Sequence, residues 1–352
     1  MAADAVSDPP AEACVRPRTL RLPAARGPLT AALFDALRSR PDADLPAVPR
    51  LRGDVLADDD AQLALYVAYE LHYATVAGVD PRWEWSPALI AFRGRLEEAM
   101  ERQLRELVPA AGEQERASVG ATLQRLVEED EGPPLSRFLE ARGRREQMLE
   151  HVIHRSAYQL KEADPHSWAI ARLGGAPKVA LMEIQHDEYG GGRPGRMHSE
   201  LFARTMEGLG LDPSYGAYVG MLPGVTLATV NLVSMFGLHR RLRGALVGHL
   251  AVFEMTSSIP NRRYGNALRR LGAGPEVTAF YDEHVEADAV HEMIAAWDLA
   301  DALARDDPQT ADEILFGARA LLAVEARWGE HLLGCFRAGR SSLLGTPRAA
   351  AA

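Results

Sequence analysis

Over residues 277–291 the chain reads VTAFYDEHVEADAVH. On a helix, His284, Asp288 and His291 stand at i, i+4 and i+7, within roughly 60° of one another at about 100° per residue. Their stripe starts with Val277 and Tyr281 and runs on to Ala295. An apolar, core-facing seam therefore continues into two imidazoles and a carboxylate. Buried polar groups without partners are costly, and a bound metal is the simplest partner for such a ladder. A solvated face is the other reading of histidine and aspartate on a helix, and it is expected for nearby Asp282, Glu283, Glu286 and Glu292. This one stretch admits both readings, so the rest of the chain has to choose.

The remaining sequence is helical throughout. The 352 residues, 47% of them hydrophobic, can fill one large or two modest cores. Helical periodicity marks residues 60–76, 86–108 and 113–129, after which an acidic run and Gly132-Pro133-Pro134 set a soft boundary. Beyond it, helices are expected over 138–162, 177–188, 196–209, 223–236, 241–257, 261–271, 275–304 and 310–336. Asp164-Pro165, the Gly190-Gly191-Gly192 run, Gly210 and Ile259-Pro260 serve as stops. No convincing β-alternation occurs. The expected organisation is a disordered N-terminus over 1–28, a helical packing or dimerisation segment over 29–134, a main helical domain over 135–343 and a disordered tail over 344–352.

Three more polar residues interrupt apolar stripes. Glu188 follows Ile184 by four residues and Leu181 by seven. Glu254 follows Leu250 by four and Leu246 by eight. His198 leads the stripe of Leu201, Phe202 and Thr205. One misfit of this kind is ordinarily a helix-end residue or a satisfied core polar group. Several, on separate helices, point to a shared site inside a bundle, as carboxylate-bridged dimetal sites are built. Glu162 is different: Tyr158 precedes it by a turn but Arg155 breaks the stripe, so pattern alone places it on the surface. His151, His154 and His186 are read as solvated. If ionised, Glu162, Glu188, Glu254 and Asp288 bring four negative charges beside neutral His198, His284 and His291, which two divalent cations would balance. The mixed donor set suits Fe(II), Mn(II) or Zn(II).

The stretches EIQHDEYGGGRPGRMHSELF (183–202), FEMTSS (253–258) and HVEADAVHE (284–292) resemble the haem-oxygenase-like diiron oxidases and oxygenases. The resemblance covers about residues 135–340. It implies an all-α, seven-helix haem-oxygenase-like bundle, here preceded by a helical N-terminal segment. It also implies a metal site built from Glu188, His198, Glu254, His284, Asp288 and His291, with Glu162 at the spacing of an additional early glutamate. Two Fe(II) ions and O2 as co-substrate follow from it, acting through a peroxo-diiron species on a small molecule. The first expectation is N-oxygenation or oxidative cleavage of an amino-acid-like substrate. Oxidative decarboxylation of a fatty acid, or a redox-inactive metal-binding helical protein, are the alternatives. A thiamin-type hydrolase on the same fold would need a nucleophilic cysteine, and neither Cys14 nor Cys335 suits that role.

Partners are bounded by charge and hydropathy. The formal net charge of −10 argues against nucleic acid. The longest uncharged run, 213–239, is punctuated by Pro223, Gly224, Asn231, Ser234 and Gly237, so no membrane span is expected. No apolar signal core opens the chain, and a cytoplasmic protein is expected. Further expectations are a homodimer through the N-terminal helices and an external electron donor. Asn231, Ser234 and Met235 of the uncharged helix, with Arg262 after the Pro260 stop, are the expected substrate contacts.

Overall fold

The computed structural model describes residues 18–345, apart from the side chains of 286–290. The protein is all-α, with one short parallel strand pair, β1 (Thr19–Leu20) and β2 (Thr75–Val76). Helices α1 (Pro28–Leu37), α2 (Asp59–Glu70), α3 (Pro87–Leu107), α4 (Glu113–Ala117) and α5 (Val119–Glu128) make up the first part. They are followed by α6 (Leu135–Arg142), α7 (Arg145–Gln159), α8 (Asp164–Ser167), α9 (Gly175–Glu188), α10 (His198–Gly208) and α11 (Gly224–Leu238). Last come α12 (Arg243–Arg270), α13 (Pro275–Met293), α14 (Ala302–Asp306) and α15 (Ala311–Arg337). A π-helical stretch, Ile294–Asp301, joins α13 to α14.

The long α12 is the spine, with its main packing against α13 and α15. Two glycines set how closely it meets α15. A Cβ on Gly248 would lie 1.8 Å from the Ile314 carbonyl oxygen, and one on Gly317 would lie 2.0 Å from that of Ala245. Only backbone fits there. On its other side, α13 also packs against α10, which brings His198 up to the ladder helix.

Several expectations change. Residues 18–28 are ordered: Leu20 is fully buried, and Arg26 donates to the Val219 carbonyl at 3.0 Å. A lone leucine carries no period, so its distant partner could not be read from the sequence. The expected disorder of 1–17 and 346–352 lies outside the described residues. The expected 138–162 helix is broken at Gly143 and Arg144, whose backbones are extended, and it ends at Gln159. Pro260 does not stop α12; the helix runs through it, at a cost of about 3 kcal/mol, anchored by buried residues up to Glu254 and again from Tyr264. Nor is the 134/135 boundary a break in packing. One hydrophobic core runs from Leu20 to Leu343, and α2, buried from Ala61 to Glu70, lies against α11. Among the described residues no helix is long and apolar enough to cross a membrane.

Candidate metal centre

Four helices and one turn converge on one buried site. Glu188 ends α9 and His198 begins α10, with the Gly190–Gly192 turn between them. Glu254 comes from the middle of α12, and His284 and His291 from α13. Glu162 comes from the turn after α7. That turn holds the one non-glycine residue with positive φ among the described residues, Ala163 at φ 74°. The left-handed backbone is held in place by Gln185 on α9, whose Nε2 donates to the Ala163 carbonyl at 3.0 Å and to Ser167 Oγ at 2.7 Å. Such strain persists only where surroundings fix it; here it reverses the chain and sends Glu162 inward.

The donor atoms form two overlapping groups. Glu162, Glu188, His198 and His284 each offer an atom within 4.8 Å of the others, and so do Glu188, Glu254 and His291. Glu188 belongs to both. All six side chains are buried, none more than 7% exposed. His198 Nδ1 lies 2.9 Å from Glu188 Oε2, His284 Nε2 lies 3.6 Å from Glu162 Oε1, and His291 Nδ1 lies 3.3 Å from Glu254 Oε2. Close as they are, both Glu162 oxygens, Glu188 Oε2, His198 Nδ1 and His291 Nδ1 have no hydrogen-bond partner among the described residues. Lone pairs that face one another in a dry core, short of hydrogen-bond geometry, are what a cation would join.

The same contacts shift the pKa values inside the site. Burial drives the Glu162 carboxyl upward, only partly opposed by His284. Burial also pushes Glu188 up, but His198, His284 and His291 outweigh it and hold that carboxyl at about 2. For His291, burial lowers the pKa while its contacts with Glu254 and Asp187 raise it to about 9. His198 is likewise raised, Glu188 overcoming burial. The carboxylates and imidazoles of the site are thus strongly coupled to one another.

The far sides of two imidazoles are fixed. His284 Nδ1–H donates to the Phe280 carbonyl at 2.7 Å; a carbonyl only accepts, so Nε2 turns its lone pair to the site. His291 Nε2–H donates to Asp187 Oδ2 at 3.0 Å, leaving Nδ1 toward Glu254. Asp187, half exposed on α9, is missed by sequence reasoning because nothing in its own helix marks it.

Of the seven residues expected at the metal, six come together. The side chain of the seventh, Asp288, lies outside the described residues. Glu162 is buried rather than superficial, because the turn after α7 folds inward. His186 is exposed as read, but His151 and His154 are buried. His154 is consumed by Thr226 Oγ1 at 2.7 Å and Ser342 Oγ at 3.0 Å. The expected substrate contacts lie elsewhere. Asn231 donates to Gln62 in the α2–α11 contact, Ser234 and Met235 are packed within the core, and Arg262 is exposed. None of these four lines the cavity of about 610 Å³ that lies beside the centre.

A helical bundle whose core gathers carboxylates and imidazoles into two groups sharing one glutamate defines a class: all-α proteins with an internal metal site. The chain belongs to the iron-containing redox enzyme family, which matches residues 149–326, just over half of it. It is also similar to a nitrosourea synthase of Streptomyces achromogenes subsp. streptozoticus, 28% identical over 136 residues. That match covers 39% of this chain and only 29% of the relative, so the chain corresponds to less than a third of that protein.

Proposed function

We propose that the protein is an O2-dependent non-haem diiron oxygenase or oxidase of a small molecule, with N-oxygenation or oxidative cleavage of an amino-acid-like substrate as the reaction. The observation that carries this reading is the membership of Glu188 in both donor groups. One iron would be held by Glu162, His198 and His284, the other by Glu254 and His291, with Glu188 common to both. Asp288 joins the set on its spacing, four residues after His284. Bound Fe(II) supplies the electrons with which O2 is activated for attack on the substrate. The chain's own contribution is to orient the imidazoles through the Phe280 carbonyl and Asp187, and to keep water out. Phe280 covers His284, its ring centroid 4.3 Å away, and Phe202 packs edge-on to Phe280 at 5.0 Å. The name of the similar Streptomyces enzyme, a nitrosourea synthase, supports nitrogen as the atom oxidised.

Anaerobic loading with Fe(II), followed by iron determination and O2 uptake, tests the reading. The chain is expected to take up about two Fe(II), as carboxylate-bridged sites do. Glu188→Ala should lose most of both, whereas His291→Ala should lose about one. Full iron retention in Glu188→Ala would sink the shared-glutamate arrangement.

A further inference from the structure

A separate cleft lies in the first part of the chain, between α3 and the loop that leads into α2. Its volume is about 430 Å³. Arginines stand at its rim: Arg50 and Arg52 from the loop and Arg102 from α3, all three exposed. The floor is apolar, made by half-buried Leu51 with buried Val55 and Ala99. None of these residues belongs to the metal centre, and all lie outside the stretch 149–326 that matches the family.

The three guanidiniums at this rim are unpaired. Of the four arginines on α3, Arg93 meets Glu97 at 3.1 Å, Arg95 meets Glu98 at 3.1 Å, and Arg105 meets Glu101 and Glu313 at 3.0 and 2.9 Å. Arg102 has no carboxylate, carbonyl or ring partner among the described residues, and neither have Arg50 and Arg52. The acid nearest in sequence, Asp54, is closed elsewhere: one oxygen accepts from Gln103 Nε2 at 2.7 Å and the other from Arg327. Glu106 is the one carboxylate lining the cleft, so three positive charges face one negative. In a chain of formal charge −10, such a concavity draws an anion. The loop is also fixed in place. Gln103 Oε1 accepts from Val55 N at 2.8 Å, and fully buried Gln62 donates to the Val55 carbonyl at 2.9 Å. At Gly53 φ is +81°, and no atom lies within 4 Å of where a Cβ would stand. The left-handed turn there parts Asp54, bonded to the frame, from Arg52, which lines the cleft.

We propose that this cleft is a binding site for a small phosphate monoester, held through Arg50, Arg52 and Arg102. A phosphate monoester carries about two negative charges near neutral pH, which three guanidiniums less one carboxylate balance. The planar guanidinium forks match phosphate oxygens in pairs, which an ammonium does not. The apolar floor takes the organic part of the ester, and the volume is that of a small-ligand site. An extended polyanion such as nucleic acid is disfavoured by the net negative charge of the whole chain.

Calorimetric titration of the full-length chain tests this, with AMP, adenosine, glucose 6-phosphate, glucose and inorganic phosphate as the probes. At least one ester is expected to bind with a Kd below about 1 mM, more tightly than inorganic phosphate, and its unphosphorylated parent not at all. Binding should weaken as ionic strength rises from about 0.01 to about 0.15 M, because the screening length falls from about 30 to about 8 Å. Arg52→Ala and Arg102→Ala should each weaken it by about tenfold or more, the value of one charge-assisted hydrogen bond. Arg102→Lys, which keeps the charge and loses the fork, should recover only part of that. Arg95→Ala, on the same helix but closed on Glu98, should bind as the parent does. Without ligand, Arg52→Ala and Arg102→Ala should melt with the parent, since neither side chain has a partner in the fold; the ester should raise the melting temperature of the parent alone. Four results would overturn the site: no saturable binding of either ester, inorganic phosphate binding as tightly as both, binding that survives both alanine substitutions, or a loss of binding that tracks a fall in melting temperature. The third would place the phosphate elsewhere on the chain, the metal centre included.

Discussion

His291 sits between two carboxylates that differ in kind. Glu254 is buried and faces its Nδ1; Asp187 is half exposed and accepts from its Nε2. The outer carboxylate fixes the ring and its tautomer, so Asp187→Ala should lower iron affinity by about 10–100-fold while leaving the fold intact. A chelator competition on both proteins measures this, with exposed His186→Ala as the neighbour that should change nothing. Equal affinity in Asp187→Ala and parent would show that the contact does not orient the ring. The same residues show what a sequence can disclose. Glu188, His198, Glu254, His284 and His291 were legible because each takes an apolar position in a helical period. Glu162 is not on a helix, and its inward turn depends on a left-handed Ala163 held by Gln185 from another helix. Its period was misleading, and only the family resemblance placed it. Asp187 was invisible because its partner lies on α13, remote in sequence.

At the level of elements, the crossing of α12 and α15 decides where Glu254 stands. Gly248 lies one and a half turns before it, with its Cα pressed on the Ile314 carbonyl. Gly248→Ala cannot be absorbed by rotating a side chain, because the atom it would strike is backbone. The helices must part, at about 1–3 kcal/mol as overpacking commonly costs. Denaturant unfolding should register that loss, and iron occupancy should fall with it as Glu254 is displaced. If stability fell and occupancy did not, the crossing would be a packing feature unconnected to the site. Helix identity was largely legible from hydrophobic period, but continuity was not. Pro260 reads locally as a stop, and what overrides it is the anchoring of α12 on either side, up to Glu254 and again from Tyr264, within a helix packed against α13 and α15, which lie later in the chain.

Over the whole molecule, the question is whether the first 134 residues fold apart from the bundle, as the Gly132-Pro133-Pro134 boundary suggested. The packing argues for a single cooperative unit. Lys161, the residue before Glu162, is fully buried and pairs with fully buried Glu70 of α2. Its ammonium also lies 4.3 Å from the centre of the Tyr73 ring, and Tyr215 Oη donates to the other Glu70 oxygen at 2.5 Å. One ion pair therefore ties the first segment to the turn that delivers a proposed ligand. Removing one partner strands the other: Lys161→Met should cost about 3–5 kcal/mol, and adding Glu70→Leu should restore part of it. Thermal unfolding of Lys161→Met, followed by both far-ultraviolet circular dichroism and iron release, should give one transition at a lower temperature, with the two probes coincident. A chain of two independent units would instead melt in two steps, with iron leaving in only one of them. Coincidence would mean that the metal-binding turn draws its geometry from a helix about ninety residues earlier, which is why no window of the sequence short enough to show a period could have revealed it.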